Sequence, residues 1–337
     1  MIPLSALDLA TVATGSSPAI ALNETIEMAK IVEHLAYRRL WVAEHHSMPA
    51  VASSAPAVLI AHLASATTTL RVGAGGVMLP NHAPLVVAEQ FATLEALHPG
   101  RIDLGLGRAP GTDLVTARAL RRAAQLGSDT FPDDVVELIS YLLPREGTAP
   151  HPCATPGSGY LPEIWLLGSS TFSAQLAGVL GLPFSFAYHF APDLLDAALT
   201  LYRSTFRPSM LLDRPYAMVA VSVICAPTSD EAAWLAGSTA LSILQRRTGR
   251  MGLLASPDEA NAYRFTAEER AVIDEALSSH VIGDARTVHD ELVALQQRTD
   301  ADELMISTRT HSFEARARSF VLIAESWGLT KNDESLT

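Results

Sequence analysis

The sequence predicts an α/β fold, a (β/α)8 TIM barrel with long insertion loops. Eight short runs rich in aliphatic and β-branched residues recur along the 337 residues, and helical patterns separate them. Strands that alternate with helices form parallel sheets covered on both faces, and eight such units favour closure into a barrel. The rival fold, an open dinucleotide-binding sheet, would need G-x-G-x-x-G after the first strand, and "ATVATGSSPA" lacks it.

The predicted strands are spread over the whole chain. Each is short, apolar and closed by polar or glycine residues, as expected for strands buried on both faces. In chain order they are "PLSALDLATV", "RRLWVAEH", "TTLRVGAGGVMLP", "GRIDLGLGRA", "PEIWLLGSS", "PFSFAYHF", "YAMVAVSVICA" and "DELMISTRT".

Helix signals lie between these strands. Pro84 is suited to the first turn of a helix, and Thr228 and Asp284 are suited to the N-cap position of two later helices. A last apolar stripe at helical spacing ends before Gly328, the residue type that most often terminates a helix. These signals predict helices on the outside of the barrel.

One domain is predicted for residues 1–330. Residues 144–162 contain too many Pro, Gly and Ser for a helix and predict a long loop before the fifth strand. Residues 246–283 also exceed an ordinary connection, and because long loops in compact domains are often lids, they are predicted to be a lid or insertion over the site. Residues 331–337 are expected to form a disordered tail.

Composition excludes several classes of partner. The net charge is -12, from 24 basic and 36 acidic residues, which disfavours nucleic acid and anionic lipid. Two cysteines without metal-ligand spacing indicate a reducing cytoplasm. The N-terminus lacks a basic segment typical of export signals, and the longest apolar stretch, residues 217–226, is too short to span a bilayer. The basic residues Arg246, Arg247 and Arg250 are predicted to form a solvated helix face or a subunit contact.

Polar residues follow several predicted strands. Glu44, His45 and His46 end the second strand, Arg108 ends the fourth and His189 ends the sixth. Because catalytic groups of such barrels gather at the carboxyl ends of the strands, these side chains are expected to share one rim. Adjacent histidines on a strand point to opposite sides, and no H-x-H or H-E-x-x-H pattern occurs, so a metal site is not predicted.

Two segments of this rim allow two interpretations each. Arg108 and the helix start in "GSSTFS", residues 168–173, could form an anion receptor from a planar donor fork, hydroxyls and free backbone amides. Alternatively Ser169 and Ser170 only cap that helix and Arg108 makes a structural ion pair. The glycines of "GAGGV" could make room for a flat ring or for a neighbouring helix.

Taken together, these segments resemble the bacterial luciferase-like flavin-dependent monooxygenases. The matching stretches are "LWVAEHHSMPAVASSAP" and "VGAGGVMLPNHAPLVVAEQFATLEALHPGRIDLGLGRAPGTD", followed more loosely by "LLGSSTFSAQLAGVLGLPFSF" and "HVIGDARTVHDEL". The resemblance is dense over the first half of the chain and weaker over the second. It implies a luciferase-like barrel that binds reduced FMN, which reacts with O2 so that one oxygen atom passes to an organic substrate.

The resemblance also assigns residues. His45 matches the family's catalytic histidine, and the bond between Gly75 and Gly76 matches a non-prolyl cis peptide against the flavin ring. The cofactor-binding residues that it implies are Glu44, Gly75, Gly76, Arg108, Ser169, Ser170 and Ser173. Two positions depart from bacterial luciferase: Gly107 replaces a cysteine, and Ser169 replaces an acid in the phosphate loop.

The function implied is that of a cytoplasmic FMN-dependent monooxygenase. A separate flavin reductase would supply the reduced FMN, O2 would be the co-substrate, and the enzyme would be a homodimer. Its substrate would be a hydrophobic or aromatic small molecule that is hydroxylated, epoxidised or oxidised as an aldehyde, with secondary metabolism as the setting. The alternatives are a deazaflavin-dependent hydride-transfer enzyme on the same barrel and a flavin-binding protein without turnover.

Overall fold

Eight parallel strands among the described residues close into a barrel. The computed structural model describes residues 1–109, 111–120, 130–144 and 152–329. The nine strands within these ranges are β1 (Leu4–Asp8), β2 (Arg39–Val42), β3 (Arg71–Met78), β4 (Ile102–Gly107), β5 (Glu163–Gly168), β6 (Phe184–Ala187), β7 (Ala217–Ala226), β8 (His280–Asp284) and β9 (Glu303–Ser307). Neighbours around the closed ring follow the order β1, β2, β3, β4, β5, β6, β7, β9 and back to β1. The predicted (β/α)8 barrel and its eight strands are therefore confirmed.

The strand β8 was not predicted, and it lies outside the ring. It pairs in parallel with the second half of β7, from Ser222 to Ala226, whereas the first half of β7 pairs with β6 and β9 inside the ring. The ten residues of β7 thus take part in strand pairing both inside the ring and outside it. Its "HVIGD" sequence is short and sits at the end of a polar stretch, so it gave no strand signal.

Helices cover the outside of the barrel. Among the described residues they are α1 (Pro18–His34), α2 (Pro56–Ala66), α3 (Pro84–Leu97), α4 (Leu114–Leu120), α5 (Phe131–Leu142), α6 (Thr171–Leu180), α7 (Leu195–Thr205), α8 (Ser229–Arg247), α9 (Pro257–Ala262), α10 (Ala267–Leu277), α11 (Ala285–Thr299) and α12 (Phe313–Trp327). The predicted caps are present: Thr228 and Asp284 accept hydrogen bonds from the backbones of Glu231 and Thr287, and Gly328 ends α12 in the left-handed conformation. No helix in these ranges is long and apolar enough to cross a membrane.

The stretch 246–283, predicted as a lid or insertion, contains α9, α10 and most of β8. Ile273 of α10 is buried against Ala240 and Leu244 of α8. Leu254 is tied to the segment after β1, since its backbone N–H donates to the carbonyl of Val12 and its own carbonyl accepts from the N–H of Thr14. The insertion is therefore fixed at both of its flanks. The predicted tail, residues 331–337, lies outside the described residues.

A buried ion network fills the amino-terminal end of the barrel. The Arg39 guanidinium is fully buried and donates to Asp103 at 2.8 Å, to Glu303 at 2.9 Å and to Glu163 at 3.3 Å. Burial alone would lower the pKa of Arg39, but the three carboxylates raise it above its ordinary value. The network therefore joins β2, β4, β5 and β9 through a permanently charged centre.

Two tryptophans form the next layer of the barrel interior. Trp41 donates its indole N–H to Asp103 at 2.8 Å, and Trp165 donates to Glu163 at 2.9 Å. The two rings meet edge to face, with their centroids 5.3 Å apart. Because strand side chains alternate with a period of two, Arg39 and Trp41 both point inwards at successive levels. The ion network thus orients the aromatic floor above it.

Removing the central charge of this network should destabilise the barrel. Arg39→Met is expected to lower the free energy of unfolding by about 3 to 5 kcal/mol, because it removes the buried cation shared by Asp103 and Glu303, which keep only the partly exposed Arg71 and Arg38. Urea unfolding followed by tryptophan fluorescence measures the change. Arg298→Met is the matched control: its bidentate partner Asp196 is exposed, so its loss should be within about 1 kcal/mol. Equal effects of the two substitutions would contradict this account.

Candidate functional site

A cavity of about 390 Å³ opens at the carboxyl ends of the strands. Its size falls within the roughly 300 to 1,000 Å³ of small-molecule sites. Leu7, Trp41, Leu167 and Met305 contribute apolar surface from the barrel interior. The rim expected from the sequence is therefore present, and its floor is the aromatic layer described above.

The ionisable side chains that line this cavity are basic. Three arginines and three histidines line it, namely Arg108, Arg246, Arg309, His45, His189 and His280. No aspartate or glutamate lines it among the described residues, although the whole chain carries a net charge of -12. A concave site of one sign focuses its field and attracts ligands of the opposite sign. The cavity is therefore suited to anionic ligands.

One basic region of the cavity combines Arg108 with the start of α6. Ser169, Ser170 and Ser173 line the cavity there. Ser170 is the N-cap residue of α6, yet its side chain makes no capping hydrogen bond. The Arg108 guanidinium lies 4.3 Å from the ring centroid of Phe172, and no carboxylate pairs with it in the part of the chain described. This favours the anion-receptor interpretation over the capping and ion-pair alternatives.

His45 lines the cavity after β2. Its Nδ1 lies 3.3 Å from the carbonyl oxygen of Gly111, and its backbone N–H donates to the carbonyl of Ser53. Burial is the main cause that lowers the pKa of His45 below 6.5, and the charges of Arg246 and Arg309 add to it. The imidazole is therefore neutral near pH 7. When Nδ1–H donates to Gly111, the lone pair on Nε2 is free to accept a proton.

Glu44 lies behind the cavity wall and does not line it. Its carboxylate accepts the backbone N–H of Met78 at 3.0 Å and contacts the Nε2 atoms of His46 and His82, each at 2.9 Å. Burial raises the pKa of Glu44, but the bonds from His82, His46 and Met78 outweigh it and the pKa is lowered. Glu44 thus joins the segments after β2 and β3 and is not among the side chains gathered around the cavity.

The glycines of β3 form part of the wall. The peptide bond between Gly75 and Gly76 is cis, as the resemblance implies, and Gly75 lines the cavity whereas Gly76 does not. A Cβ atom added to Gly75 would come within 2.8 Å of the Trp41 ring. The close neighbour at this glycine is therefore a barrel tryptophan and not a helix, and no side chain of residue 75 projects into the cavity.

Three lining residues were missed in the sequence. Arg309 follows the last barrel strand, so the strand-end rule that identified Arg108 could have found it. Arg246 was expected on a solvated face or a subunit contact, but it lines the cavity because the last turn of α8 reaches the rim. His280 belongs to β8, which gave no strand signal. In the described ranges, no group of three His, Cys, Asp or Glu side chains could hold a metal ion.

A family model, two relatives in sequence and a solved structure match this chain over most of its length. A family model described as luciferase-like monooxygenase matches residues 3–302. A relative in Escherichia coli K12 named luciferase-like monooxygenase is 47% identical over 321 residues, which are 95% of this chain and 96% of the relative. The N-acetyl-S-alkylcysteine monooxygenase of Bacillus subtilis is 32% identical and covers 97% of this chain and 98% of its own. The crystal structure of apo-MsnO8 matches with a TM-score of 0.90 at 35% identity, over 98% of this chain and 100% of that chain.

The position of Glu44 makes a prediction about stability. Glu44→Gln should lower the free energy of unfolding by about 1 to 3 kcal/mol, because charge-assisted bonds to buried donors are lost. Since the folded pKa is lowered, the difference from wild type should be complete above the ordinary glutamate pKa of 4.5 and should shrink as the pH falls through the folded value. Urea unfolding at several pH values measures it.

The exposed Glu27, paired with Lys30, provides the control for this experiment. Glu27→Gln should change stability by no more than about 1 kcal/mol at any pH. If Glu44→Gln left stability unchanged but weakened flavin binding, Glu44 would belong to the cofactor site as the sequence predicted.

Proposed function

The chain belongs to the luciferase-like monooxygenase family, and we propose from this that it is an FMN-dependent monooxygenase. Reduced FMN would supply two electrons for the cleavage of O2, so that one oxygen atom enters a hydrophobic or aromatic small molecule and the other is reduced to water. One observation carries the proposal: a single cavity contains an arginine without an acidic partner among the described residues beside a helix start, a glycine in its wall and a neutral histidine. These are the groups that a phosphate, a planar ring and a proton transfer require.

The residues around α6 suit the phosphate of FMN. Arg108 offers a planar fork of donors, and the backbone N–H groups of the first turn of α6 add the positive end of its dipole. The hydroxyl groups of Ser169, Ser170 and Ser173 can donate to the remaining phosphate oxygens. A doubly charged phosphate would then balance positive charge that has no partner among the described residues.

His45 is proposed as the catalytic residue. Because it is neutral near pH 7 and donates through Nδ1 to Gly111, Nε2 can accept a proton from the reacting group. The carbonyl of Gly111 fixes the orientation of the ring, and the apolar floor around Trp41 limits the access of water.

The remaining parts of the proposal concern the setting of the enzyme. A separate flavin reductase would deliver reduced FMN, and the enzyme would act as a homodimer in the cytoplasm, with secondary metabolism as its setting. Residues 246–283 would act as a cover, since Met251, Gly252 and Ala276 line the cavity. The reaction would be a hydroxylation, an epoxidation or the oxidation of an aldehyde.

Anaerobic mixing tests the proposed function. The protein is mixed with chemically reduced FMN and then with O2, while flavin absorbance, O2 consumption and products from a panel of hydrophobic and aromatic compounds are recorded. Oxygenated product formed in proportion to O2 uptake supports a monooxygenase. Binding of a deazaflavin with hydride transfer and no O2 uptake would favour the first alternative. Retention of FMN without product would favour the second.

Arg108 should discriminate FMN from riboflavin. Arg108→Ala is expected to weaken FMN binding by about 10- to 100-fold, because a charge-assisted bond to phosphate is lost, and to change riboflavin binding less than about twofold. Fluorescence titration of both flavins measures this. Arg286→Ala, at a side chain that is 93% exposed, is the control and should alter neither affinity. Equal weakening of FMN and riboflavin would remove Arg108 from the phosphate site.

His45 should affect product yield more than cofactor binding. His45→Ala is expected to keep FMN affinity within about threefold but to lower the yield of product per O2 consumed. In wild type the yield should fall as the pH drops through a value below 6.5, because the lowered pKa keeps the imidazole neutral down to that pH. His62→Ala, which removes an exposed imidazole, is the control. An unchanged yield in His45→Ala would exclude His45 from the reaction.

A further inference from the structure

The cavity has a second basic region that the phosphate of FMN does not account for. It is formed by Arg309, Arg246, His189 and His280, which we call the β9 cluster. Arg309 follows β9, whereas Arg108 follows β4, and three strands separate β4 from β9 in each direction around the ring. The β9 cluster therefore lies across the barrel from the proposed phosphate site, and one phosphate cannot occupy both.

Arg309 is a half-buried cation without an acidic counter-charge among the described residues. Its Nε is buried without a hydrogen-bond partner, and no carboxylate forms an ion pair with its guanidinium in the described ranges. Burial, followed by the charge of Arg246, lowers the pKa of Arg309 to about 10. The group is still charged at neutral pH. An unpaired buried charge is costly, and a ligand anion would offset that cost.

Arg246 connects the members of the cluster, since its charge acts on Arg309, His189 and His280. Arg246 lies with its guanidinium 6.0 Å from the ring centroid of Phe190 and makes no ion pair among the described residues. His189 donates from Nδ1 to the carbonyl of Ala220 at 3.0 Å. Burial, then His189 and Arg246, lower the pKa of His280 to about 4, and burial also lowers the pKa of His189. At neutral pH the cluster thus presents two arginine charges and two uncharged imidazoles.

The floor of the cavity that both basic regions share is apolar. Trp41, Leu7 and Met305 line this part, and His45 is close enough to Arg246 and Arg309 for both charges to affect its titration. A ligand with an anionic end at the β9 cluster would therefore extend an apolar body past His45. The two arginines and their fork geometry match a planar carboxylate.

We propose that the substrate is an amphipathic carboxylic acid whose carboxylate is bound by Arg309 and Arg246, with its apolar body lying between them and the flavin. This inference rests on the proposed function, because it takes the α6 end of the cavity to be filled by FMN. It narrows the expected hydrophobic or aromatic substrate to one that carries a carboxylate, and it makes Arg309 a specificity-determining residue.

Calorimetric titration of the FMN-loaded protein tests this inference. The probes are hexanoate, its uncharged analogue hexanamide, and hexane-1-sulfonate. Wild type is expected to bind hexanoate at least about tenfold more tightly than hexanamide, as for a lost charge-assisted bond, and more tightly than the sulfonate. Arg309→Gln should abolish the preference for the charged probe, and Arg309→Lys should restore part of it because the charge returns.

Two further variants keep the test decisive. Arg246→Gln changes an exposed side chain, so it tests the cluster even if Arg309→Gln does not fold, and it should reduce the preference for hexanoate. Arg247→Gln removes the same charge from the next position of α8, outside the cavity, and should leave the preference unchanged. Equal binding of hexanoate and hexanamide to wild type, no measurable binding of hexanoate, tighter binding of the sulfonate, or a preference that survives both Arg309→Gln and Arg246→Gln would each overturn the inference.

The failure of this inference can be distinguished from failure of the proposed function. The FMN content after desalting is measured first, and a protein that takes up no FMN contradicts the proposed function. The same hexanoate titration is then performed on flavin-free Arg108→Ala protein, in which the other basic end lacks its arginine. A preference for hexanoate that still depends on Arg309 supports the carboxylate site without reference to flavin.

Discussion

The buried guanidinium of Arg39 is the interaction on which the barrel interior depends. It lies between carboxylates of three other strands, and two of these carboxylates also accept the indole N–H groups of Trp41 and Trp165. The tryptophans in turn form the floor beneath the cavity. An unpaired charge or polar group in this layer would lower the stability of the protein. The hydrogen bonds to the carboxylates therefore hold the two tryptophans of the floor in place. The carboxyl ends of the strands are left free to carry the side chains that line the cavity.

The opposite end of the barrel has an electrostatic character of its own. Acidic residues dominate the chain, yet the described lining of the cavity is basic or neutral. Ion pairs balance the charges of the amino-terminal layer, whereas the described side chains that line the cavity form none. Arginines without an acidic partner in the described ranges lie near β4 and near β9. In such a site the bound anion supplies the missing negative charge. The contacts that bind the ligand therefore also neutralise the arginines.

Much of the fold was predictable because its signals are local. Each barrel strand is a continuous apolar run, and helix starts such as Asp284 carry their cap in the sequence. Arg108 and the serines of α6 were found because strand ends and helix starts are also local features. The ion network was not predictable, since Arg39 and Glu303 are 264 residues apart and only barrel closure brings them together. The role of Arg246 was missed because one face of an isolated helix gives no indication of a cavity beside it.

The double pairing of β7 has a consequence for how such enzymes diversify. The first half of β7 pairs with β6 and β9 in the closed ring, and its second half pairs with β8. The insertion is therefore attached through a strand pairing that lies outside the ring. Met251, Gly252 and His280, which line the cavity, all belong to this insertion. Replacement of the insertion by another segment would alter one wall of the cavity and leave the hydrogen bonds between the ring strands intact. One wall of the cavity and the closed ring are thereby assigned to separate stretches of one polypeptide, and mutations in that wall need not compromise the ring.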